Sequence, residues 1–519
     1  MLRLRLHPTM STVAIAESSV PVATMDRRYV TAALMLVMVL ASMEQTVTST
    51  AMPTIIGELH GFEHYAWVAS IYLLACTVSM PLYGRLADAL GRKRVIVGAI
   101  VLFCGASVLA ASAQNMPQLI LYRGLQGLGA GGIMPVVLTI LGDIFTLKER
   151  AGVQGFFSAI WGTASLAGPL LGGFLVKTLG WRSIFFINLP FGAIGLSVLI
   201  WKYHDHEKPH STDLDLPGVA GLAVACMGML TAVSLVGTEF WSWTWGSALI
   251  AVSLIAVGLF VRHEKRAANP IMPPALMLNR NIGPVMIASV LLGVGIFALD
   301  TYVPLYVQGG RGGGVMAAAG VVTPVMFMWA LSSFVAAPLV VRWGFRKTAL
   351  LGAVLIVIGF SGLLICAITD ASPWVLTAIL AVTGFGFGPA SMSYLLSAQE
   401  SVTWQQRGII TSSVQFFRTI GGAVGIGLLG ALFNLLIRPN LPRLKQLGVT
   451  PRALLDPMLR DGLPPETLKT IGSMISGGLL WVFAAMLGFA VIGVAVSCLM
   501  SKKKSDHAIS RVEAIESIG

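Results

Sequence analysis

Long runs of apolar residues, separated by short charged loops, restrict what this chain can fold into. Of its 519 residues, 55% are hydrophobic and only 11% are charged, and the mean hydropathy is +0.80. Soluble domains carry about 25% charged residues, so this composition excludes an ordinary soluble globule. A run of about 20 apolar residues crosses a bilayer as a helix, because helices satisfy their own backbone polar groups. The sequence therefore predicts an all-α integral membrane protein.

Fourteen apolar runs are long enough to be membrane spans. They cover residues 29–53, 64–83, 95–113, 117–141, 152–176, 183–203, 217–236, 246–262, 282–306, 315–341, 348–369, 373–398, 409–436 and 473–499. Glycine and proline recur inside these runs, which membrane helices tolerate when neighbouring helices cover the freed backbone groups. An even number of spans places both ends of the chain on one side of the membrane.

The basic residues explain the net charge of +12 without a nucleic-acid partner. Most lie in short loops on one side of the predicted membrane, as in Arg92 to Arg94 and Lys502 to Lys504. Short loops rich in Lys and Arg stay in the cytoplasm, where anionic lipids attract them. We therefore expect a multi-pass protein of the plasma or inner membrane with both termini cytoplasmic. The loop 437–472 is basic but falls outside, so either it is carried across as a long loop or one span is miscounted.

No feature of the sequence calls for a metal or another cofactor. All five cysteines lie within apolar runs, and none forms a CxxC pair or a metal-ligand spacing. None of the eight histidines lies in the interior of a predicted span, which argues against a membrane-embedded transferase, and there is no GxxxxGK[ST] motif for ATP. We therefore do not expect an enzyme.

A weak internal repeat indicates two related halves. The sequence "GRLADALGRKR" at 84–94 follows span 2, and "VVRWGFRKTAL" follows span 10 with Gly344, Arg346 and Lys347 but no acid equivalent to Asp88. Such repeats are typical of transporters. The predicted units are a flexible cytoplasmic tail (1–28), a six-helix bundle (29–205), an inserted pair of helices (206–270), a second six-helix bundle (271–500) and a cytoplasmic tail (501–519).

The turn at 84–94 is too specific for a simple basic anchor, which is the alternative interpretation. Its glycines allow two helices and a tight connection to approach closely. Its acid can face the positive end of a helix. The candidate residues of this turn are Gly84, Asp88, Gly91, Arg92 and Arg94.

Ionisable residues inside spans are costly unless they are paired or hydrated, so each is a functional candidate. Glu44 in span 1 and Arg123 in span 4 lie at similar depth and would pair if those spans pack together. The pair would either fix packing or provide an acid that titrates as access switches sides. Asp300 in span 9 either reaches the outer interface or is a second proton or cation site. Arg418 in span 13 would hold a contact between the bundles or meet an anionic group.

Span 5 contains Gly168, Pro169, Gly172 and Gly173. Small residues at this spacing form a flat helix face, and the proline bends the helix. Ordinary close packing of small residues is the alternative.

Together these motifs, from about residue 27 to 500, resemble the fourteen-span drug:proton antiporter family of the major facilitator superfamily. "MEQTVTSTAMP" at 43–53 resembles its span-1 signature, with Glu44 in place of the usual Asp. "LYRGLQGLGAGG" at 121–132 resembles its span-4 motif, whose arginine is thought to take part in proton transfer, which implies that role for Arg123. "LDTYVPLYVQ" at 299–308 is similar to the family's span-9 end, although Asp300 is less standard.

The resemblance also implies roles for the two glycine-containing motifs. In the family, the turn after span 2 stabilises the outward-open state with its Asp bound at a helix terminus of the other bundle, which implies gating by Asp88, Arg92 and Arg94. The segment 168–173 is similar to the motif that distinguishes antiporters from importers. "WRSIFFINLPFG" at 181–192 resembles the connection between spans 5 and 6.

The family implies a major facilitator fold and a proton-driven exporter of hydrophobic or amphiphilic compounds, such as drugs, that works by alternating access. Glu44, and Asp300 as a second candidate, would bind protons, and no cofactor beyond the proton gradient is implied. The alternative is a dedicated exporter of one metabolite, antibiotic, siderophore or lipid. The expected partners are the substrate, protons and membrane lipids; a periplasmic adaptor would be needed only in a Gram-negative host.

Overall fold

A computed structural model describes residues 27–59, 65–205, 215–235, 243–440 and 463–501, and this part of the chain is built from helices. They are α1 (Arg27–Leu59), α2 (Tyr65–Leu90), α3 (Arg92–Ala111), α4 (Met116–Ile144), α5 (Leu147–Leu179), α6 (Ser183–Phe186), α7 (Asn188–Lys202), α8 (Leu216–Leu235), α9 (Trp243–Glu264), α10 (Pro274–Met277), α11 (Gly283–Leu305), α12 (Val315–Trp343), α13 (Phe345–Ile368), α14 (Pro373–Gln399), α15 (Arg407–Ile437) and α16 (Pro465–Cys498). A π-helical turn (Tyr306–Gly310) continues α11, and 3-10 turns (Trp404–Gln406 and Arg438–Asn440) flank α15.

Each predicted span overlaps one of these helices. Eleven helices in the described ranges are long and apolar enough to cross a membrane, and α8 adds a shorter apolar stretch, Pro217–Ala232. The all-helical membrane architecture is therefore confirmed, whereas the number fourteen remains a prediction. Most of the tails 1–28 and 501–519, and much of the loop 437–472, lie outside the described residues. The last span begins at Pro465, earlier than the predicted 473, because the helix extends beyond its apolar run.

Helices α1 to α7 pack mainly on one another, as do α11 to α16. In the first group, α4 lies against α2 and α3, and α1 lies against α5 and α7. In the second group, α14 lies against α12 and α13, and α11 lies against α15. The two groups meet where α2 and α4 contact α15 and where α5 contacts α12. This arrangement resembles the predicted pair of bundles, whose exact boundaries remain predictions.

Helices α8 and α9 pack on each other, and α8 also lies against α2 and α15. A buried apolar cluster fills this contact; it includes Leu74 and Val78 of α2, Leu222 and Cys226 of α8, and Phe416 of α15. The helix pair therefore covers the seam between the two groups.

Close helix contacts depend on glycine at particular positions. A Cβ atom on Gly293 of α11 would lie 1.9 Å from the carbonyl oxygen of Arg418 on α15. Because backbone cannot give way as a flexible side chain can, the two helices would have to separate.

We expect Gly293→Ala to destabilise the protein by about 1–3 kcal/mol, which is the usual cost of overpacking. The measurement is the thermal unfolding temperature of the purified protein in detergent. Gly258→Ala on α9 is the matched control, because no atom lies within 4 Å of its added Cβ. Equal unfolding temperatures for the two variants would contradict the close contact.

Candidate functional site

The carboxylate of Asp88 connects the two groups of helices. Its oxygens accept hydrogen bonds from the backbone N–H groups of Gly408 (3.0 Å) and Ile409 (2.8 Å). These amides belong to the first turn of α15, where N–H groups have no partner within the helix and the helix dipole is positive. The acid predicted to face a helix terminus therefore does so, across 321 residues of sequence. We call the end of the protein that contains residues 84–94 the turn end.

Two glycines allow this contact. A Cβ on Gly84 would lie 1.9 Å from Ser412 Oγ and 2.6 Å from the Gly408 carbonyl oxygen, so α2 and α15 cross almost backbone to backbone. Gly91 has φ +93°, which lets the chain turn between α2 and α3. The carboxylate of Asp205 then accepts a hydrogen bond from Lys93 N (3.0 Å) at the start of α3.

Arg92 is buried (1% exposed) and completes the contact. Its guanidinium donates to Asp88 Oδ1 (2.9 Å), to Asp143 Oδ2 (3.1 Å) and to the Trp404 carbonyl oxygen (3.1 Å). Its Cζ also lies 3.8 Å from the centroid of the Trp404 ring. Because Asp143 ends α4 and Trp404 precedes α15, Arg92 contacts both groups of helices.

Arg407, the first residue of α15, adds a second cation. It donates to the Gly142 carbonyl oxygen (3.0 Å) and lies 3.7 Å from Asp143 Oδ1. By contrast, the side chain of Arg94 is exposed and the structure does not bring it to this contact. Sequence reasoning missed Asp143, Asp205, Trp404 and Arg407, because charged and aromatic residues at the ends of spans look like ordinary interface anchors.

Glu44 and Arg123 form the predicted ion pair, and both are almost completely buried. Glu44 also accepts hydrogen bonds from Asn188 Nδ2 (2.6 Å) and Thr48 Oγ1 (3.0 Å). Arg123 donates to Gln126 Oε1 as well (2.6 Å). Burial of both charges is tolerated because each is paired and hydrogen-bonded.

The remaining hydrogen bonds close a loop through Ser107 on α3. Its hydroxyl accepts from Gln126 Nε2 (2.8 Å) and from Asn188 Nδ2 (3.2 Å). We call Glu44, Arg123, Gln126, Ser107 and Asn188 the Glu44 network. It joins α1, α3, α4 and α7. Asn188 lies in the 181–192 motif, and Gln126 lies three residues after Arg123. The sequence could therefore have drawn attention to both positions, but it did not indicate their role in the network.

A cavity of about 300 Å³ lies between the two groups of helices. Its wall combines methionine, aromatic and small polar side chains from both groups, including Met38, Tyr72, Met80, Met134, Phe157, Ser289, Phe297, Met326, Trp329, Tyr394 and Gln415. On α12, Met326 and Trp329 line the cavity, whereas Phe327 is 64% exposed. Glu44 does not line this cavity.

Asp300 and Arg418 both lie on the cavity wall. No hydrogen bond or ion pair joins either side chain to another residue within the described ranges. The two helices that carry them, α11 and α15, are in contact at Gly293 and Arg418. Asp300 is seven residues beyond Gly293, which corresponds to about 10 Å along the helix. The cavity therefore presents two opposite charges at separate levels.

The glycines of span 5 are placed on α5, which runs unbroken through them. Gly168 and Gly172 are buried, whereas Gly173 is exposed with nothing within 4 Å of an added Cβ. The ring of Pro169 lies outside the described atoms, so the predicted bend and the antiporter role remain predictions. As for metals, no group of three or more His, Cys, Asp or Glu in the described ranges could hold an ion.

The chain was compared with known proteins. The family model of the Major Facilitator Superfamily matches residues 34–426. Two similar proteins come from Bacillus subtilis (strain 168). "Multidrug transporter protein MdtP" is 36% identical over 405 residues, which are 77% of this chain and 74% of that protein. "Multidrug resistance protein 3" is 29% identical over 409 residues, 78% and 79% of the two chains.

The fold also matches a solved structure, that of the human organic anion transporter MFSD10 (TETRAN). The TM-score is 0.58 at 13% sequence identity, and the match covers 88% of this chain and 99% of that one. The fold and the family model define the class: the chain belongs to the Major Facilitator Superfamily. It is therefore a multi-pass membrane transporter, and the proteins of this class are not enzymes.

We expect Asp88→Ala to weaken closure of the turn end. It leaves two helix N–H groups without their acceptor and removes one of the acceptors of Arg92. Hydrogen bonds to a charged group contribute about 1.5–3 kcal/mol each. Spin labels at the exposed positions Arg94 and Gln405, in a chain lacking the exposed Cys498, would report a second, longer distance.

The matched control is Glu149→Ala. Glu149 accepts hydrogen bonds from Thr146 at the start of its own helix, and these hydrogen bonds hold the pKa of that carboxyl below its ordinary value. Its one ion pair among the described residues is a half-exposed contact with Arg27 of α1, within the same group of helices. Loss of the Glu149 carboxylate affects local capping, so the label distance should stay as in the wild type. An unchanged distance distribution in Asp88→Ala would contradict the proposed importance of Asp88 for closure.

Proposed function

We propose that the protein is a proton-coupled exporter of hydrophobic or amphiphilic small molecules that works by alternating access in the plasma membrane. The observation that carries this proposal is the cavity between the two helix groups. At the turn end, the two groups are joined by the hydrogen bonds from α15 to Asp88 of α2, and a buried acid–base pair lies near the cavity. With both termini cytoplasmic, the turn end faces the cytoplasm. The structure then corresponds to a state closed to the cytoplasm.

Alternating access requires contacts that can break and form again. The turn-end contact consists of hydrogen bonds and ion pairs of a few side chains, namely Asp88, Arg92, Asp143 and Arg407. Such polar contacts can be replaced by water when the bundles rock apart, which a large interdigitated apolar core would resist. This supports the gating role that the resemblance implies for the 84–94 turn.

Proton coupling requires an acid whose protonation changes the conformation of the protein. Protonation of Glu44 would leave Arg123 as an uncompensated buried cation, which is strongly destabilising. Proton binding at Glu44 would therefore require the Glu44 network to rearrange, and that rearrangement would link the proton to the helices α1, α3, α4 and α7. Asp300 is a second candidate acid, because it lies on the cavity wall and no described residue pairs with it.

The cavity is suited to substrates of different shapes. Methionine side chains are polarizable and adapt to different shapes, and about 300 Å³ is within the range of drug-sized sites. The names of the two Bacillus relatives support a multidrug substrate range. A dedicated exporter is the second candidate, and it is favoured by the acid Asp300 and the base Arg418 on the cavity wall, which would select substrates of one charge pattern.

We expect Glu44→Gln to abolish proton-driven efflux, with at least about a tenfold lower rate, because the amide cannot bind and release a proton in the required way. The measurement is efflux of a fluorescent cationic dye from energised cells, with and without an uncoupler, at equal amounts of protein in the membrane. Asp300→Asn, tested in parallel, shows whether the second acid contributes.

Glu58→Gln is the matched control. Glu58 lies on the same helix and is also ion-paired, with Arg182, but it is exposed at the opposite end, and this arginine lowers its pKa. Its efflux should equal that of the wild type. Dye efflux that continues in the presence of uncoupler would contradict proton coupling, and a wild type that retains every dye tested would favour the dedicated exporter.

A further inference from the structure

The Glu44 network and the cavity are separate compartments in the described part of the chain. None of the five network residues lines the cavity. Among the hydrogen bonds, ion pairs and cation–π contacts of the described residues, Tyr72 of α2 is the one cavity residue that interacts with a network side chain. Its ring centroid lies 4.2 Å from Cζ of Arg123, and the residue is 2% exposed. The Tyr72 side chain therefore separates Arg123, the partner of Glu44, from the cavity.

Arg123 is held against α2 at two points. Its Nε donates to the Val68 carbonyl oxygen (3.4 Å), one turn before Tyr72, and its guanidinium lies over the Tyr72 ring. The α2 backbone is fixed here, because a Cβ on Gly127 of α4 would lie 2.4 Å from the Tyr72 carbonyl oxygen. A movement at this contact therefore displaces the Tyr72 side chain and the Arg123 guanidinium rather than the α2 backbone.

Glu44 has free space on the side away from the cavity. A second, small cavity of about 10 Å³ is lined by Glu44, Asn188 and apolar residues of α1, α6 and α7. This is about the room that one water molecule needs. Water in this small cavity would have the Glu44 carboxylate and the Asn188 amide as partners, and the small cavity shares no lining residue with the large one.

We propose that Tyr72 is a positioning residue that keeps the proton site and the substrate cavity apart and couples them through its ring. A substrate in the cavity displaces the Tyr72 ring, which changes the stabilisation of the Arg123 cation and so the strength of its pairing with Glu44. Proton and substrate then compete through Arg123 rather than for one site. This inference rests on the proposed function, in which Glu44 binds the coupled proton.

The size and the neighbours of this contact make it a suitable coupling element. Desolvated cation–π contacts shift an equilibrium by about tenfold. In the described ranges, the titratable and charged groups facing the network are Glu44, Arg123 and the phenol of Tyr72. Asp300 and Arg418 line the same large cavity as the Tyr72 ring. The thiol of Cys104 adjoins Asn188, and Cys76 lies one turn after Tyr72 on α2. None of the remaining contacts of Arg123 reaches the large cavity, so the Tyr72 ring is the route by which substrate is sensed.

The test is the affinity of the purified protein for a fluorescent dye substrate, measured from acid to mildly alkaline pH, with Asp300→Asn present throughout so that the second acid on the cavity wall does not titrate beside the dye. For the wild type we expect the Kd to rise about tenfold at acid pH, because the proton weakens substrate binding through the ring contact. Tyr72→Phe keeps the ring and should keep this dependence. Tyr72→Leu removes the ring and should still bind dye, with a Kd that no longer depends on pH. Tyr72→Met is the second ringless variant, for use where Tyr72→Leu does not fold.

Phe297→Leu is the matched control. Phe297 also presents a ring to the cavity, but from α11, away from the network. Its loss should weaken dye binding equally at every pH and leave the tenfold dependence intact. A purely structural effect of losing a cavity ring would make Phe297→Leu and Tyr72→Leu alike.

Two outcomes separate this inference from the proposed function. If the Kd of Glu44→Gln keeps the wild-type pH dependence, Glu44 is not the coupled acid, and the part of the proposed function on which this inference rests fails. If Glu44→Gln is independent of pH but both ringless Tyr72 variants keep the wild-type dependence, only the role of Tyr72 is overturned. Loss of the dependence in Tyr72→Phe would also overturn it, because the hydroxyl rather than the ring would then matter.

Discussion

The bond between the Asp88 carboxylate and the first turn of α15 is the contact on which the relation of the two helix groups depends. It satisfies two backbone amides that α15 cannot satisfy itself, and it sits where Gly84 allows α2 and α15 to touch. Arg92 neutralises the carboxylate and reaches Asp143 and the Trp404 backbone. The first-turn amides of α15 can bind Asp88 only while the two helix groups are in contact. These hydrogen bonds therefore exist only when the turn end is closed.

Charge is treated differently in three regions of the structure. In the described residues of the turn-end contact and of the Glu44 network, every buried charge has partners, because an unpaired ion in a low-dielectric interior is costly. On the cavity wall, Asp300 and Arg418 have none among the described residues, and space is left beside them. Paired charges fix a conformation, whereas unpaired ones at a cavity can be satisfied by water or by a guest. Whether a charge fixes a conformation or remains open to a guest therefore depends on whether a cavity lies beside it.

Much of the architecture was predictable from sequence, because the physics acts on single segments. Apolar runs predicted the helices, and the cost of burying charge singled out Glu44, Arg123, Asp88, Asp300 and Arg418. The pairing of Glu44 with Arg123 followed from their similar depth. Arg94 shared the motif but is exposed, because it faces outward from the first turn of α3. The number of membrane spans and the roles of these residues remain predictions.

The sequence by itself determined that the chain is a helical membrane protein and which of its buried charges need an explanation, since hydropathy and the cost of burial are local properties. Only the tertiary structure decided which groups satisfy them. Asp143, Asp205, Trp404 and Asn188 become partners because helix packing brings together residues that are distant in sequence. Packing also placed the Tyr72 ring between Arg123 and the cavity, because the face that a membrane helix presents inward depends on its neighbours and not on its own apolar pattern.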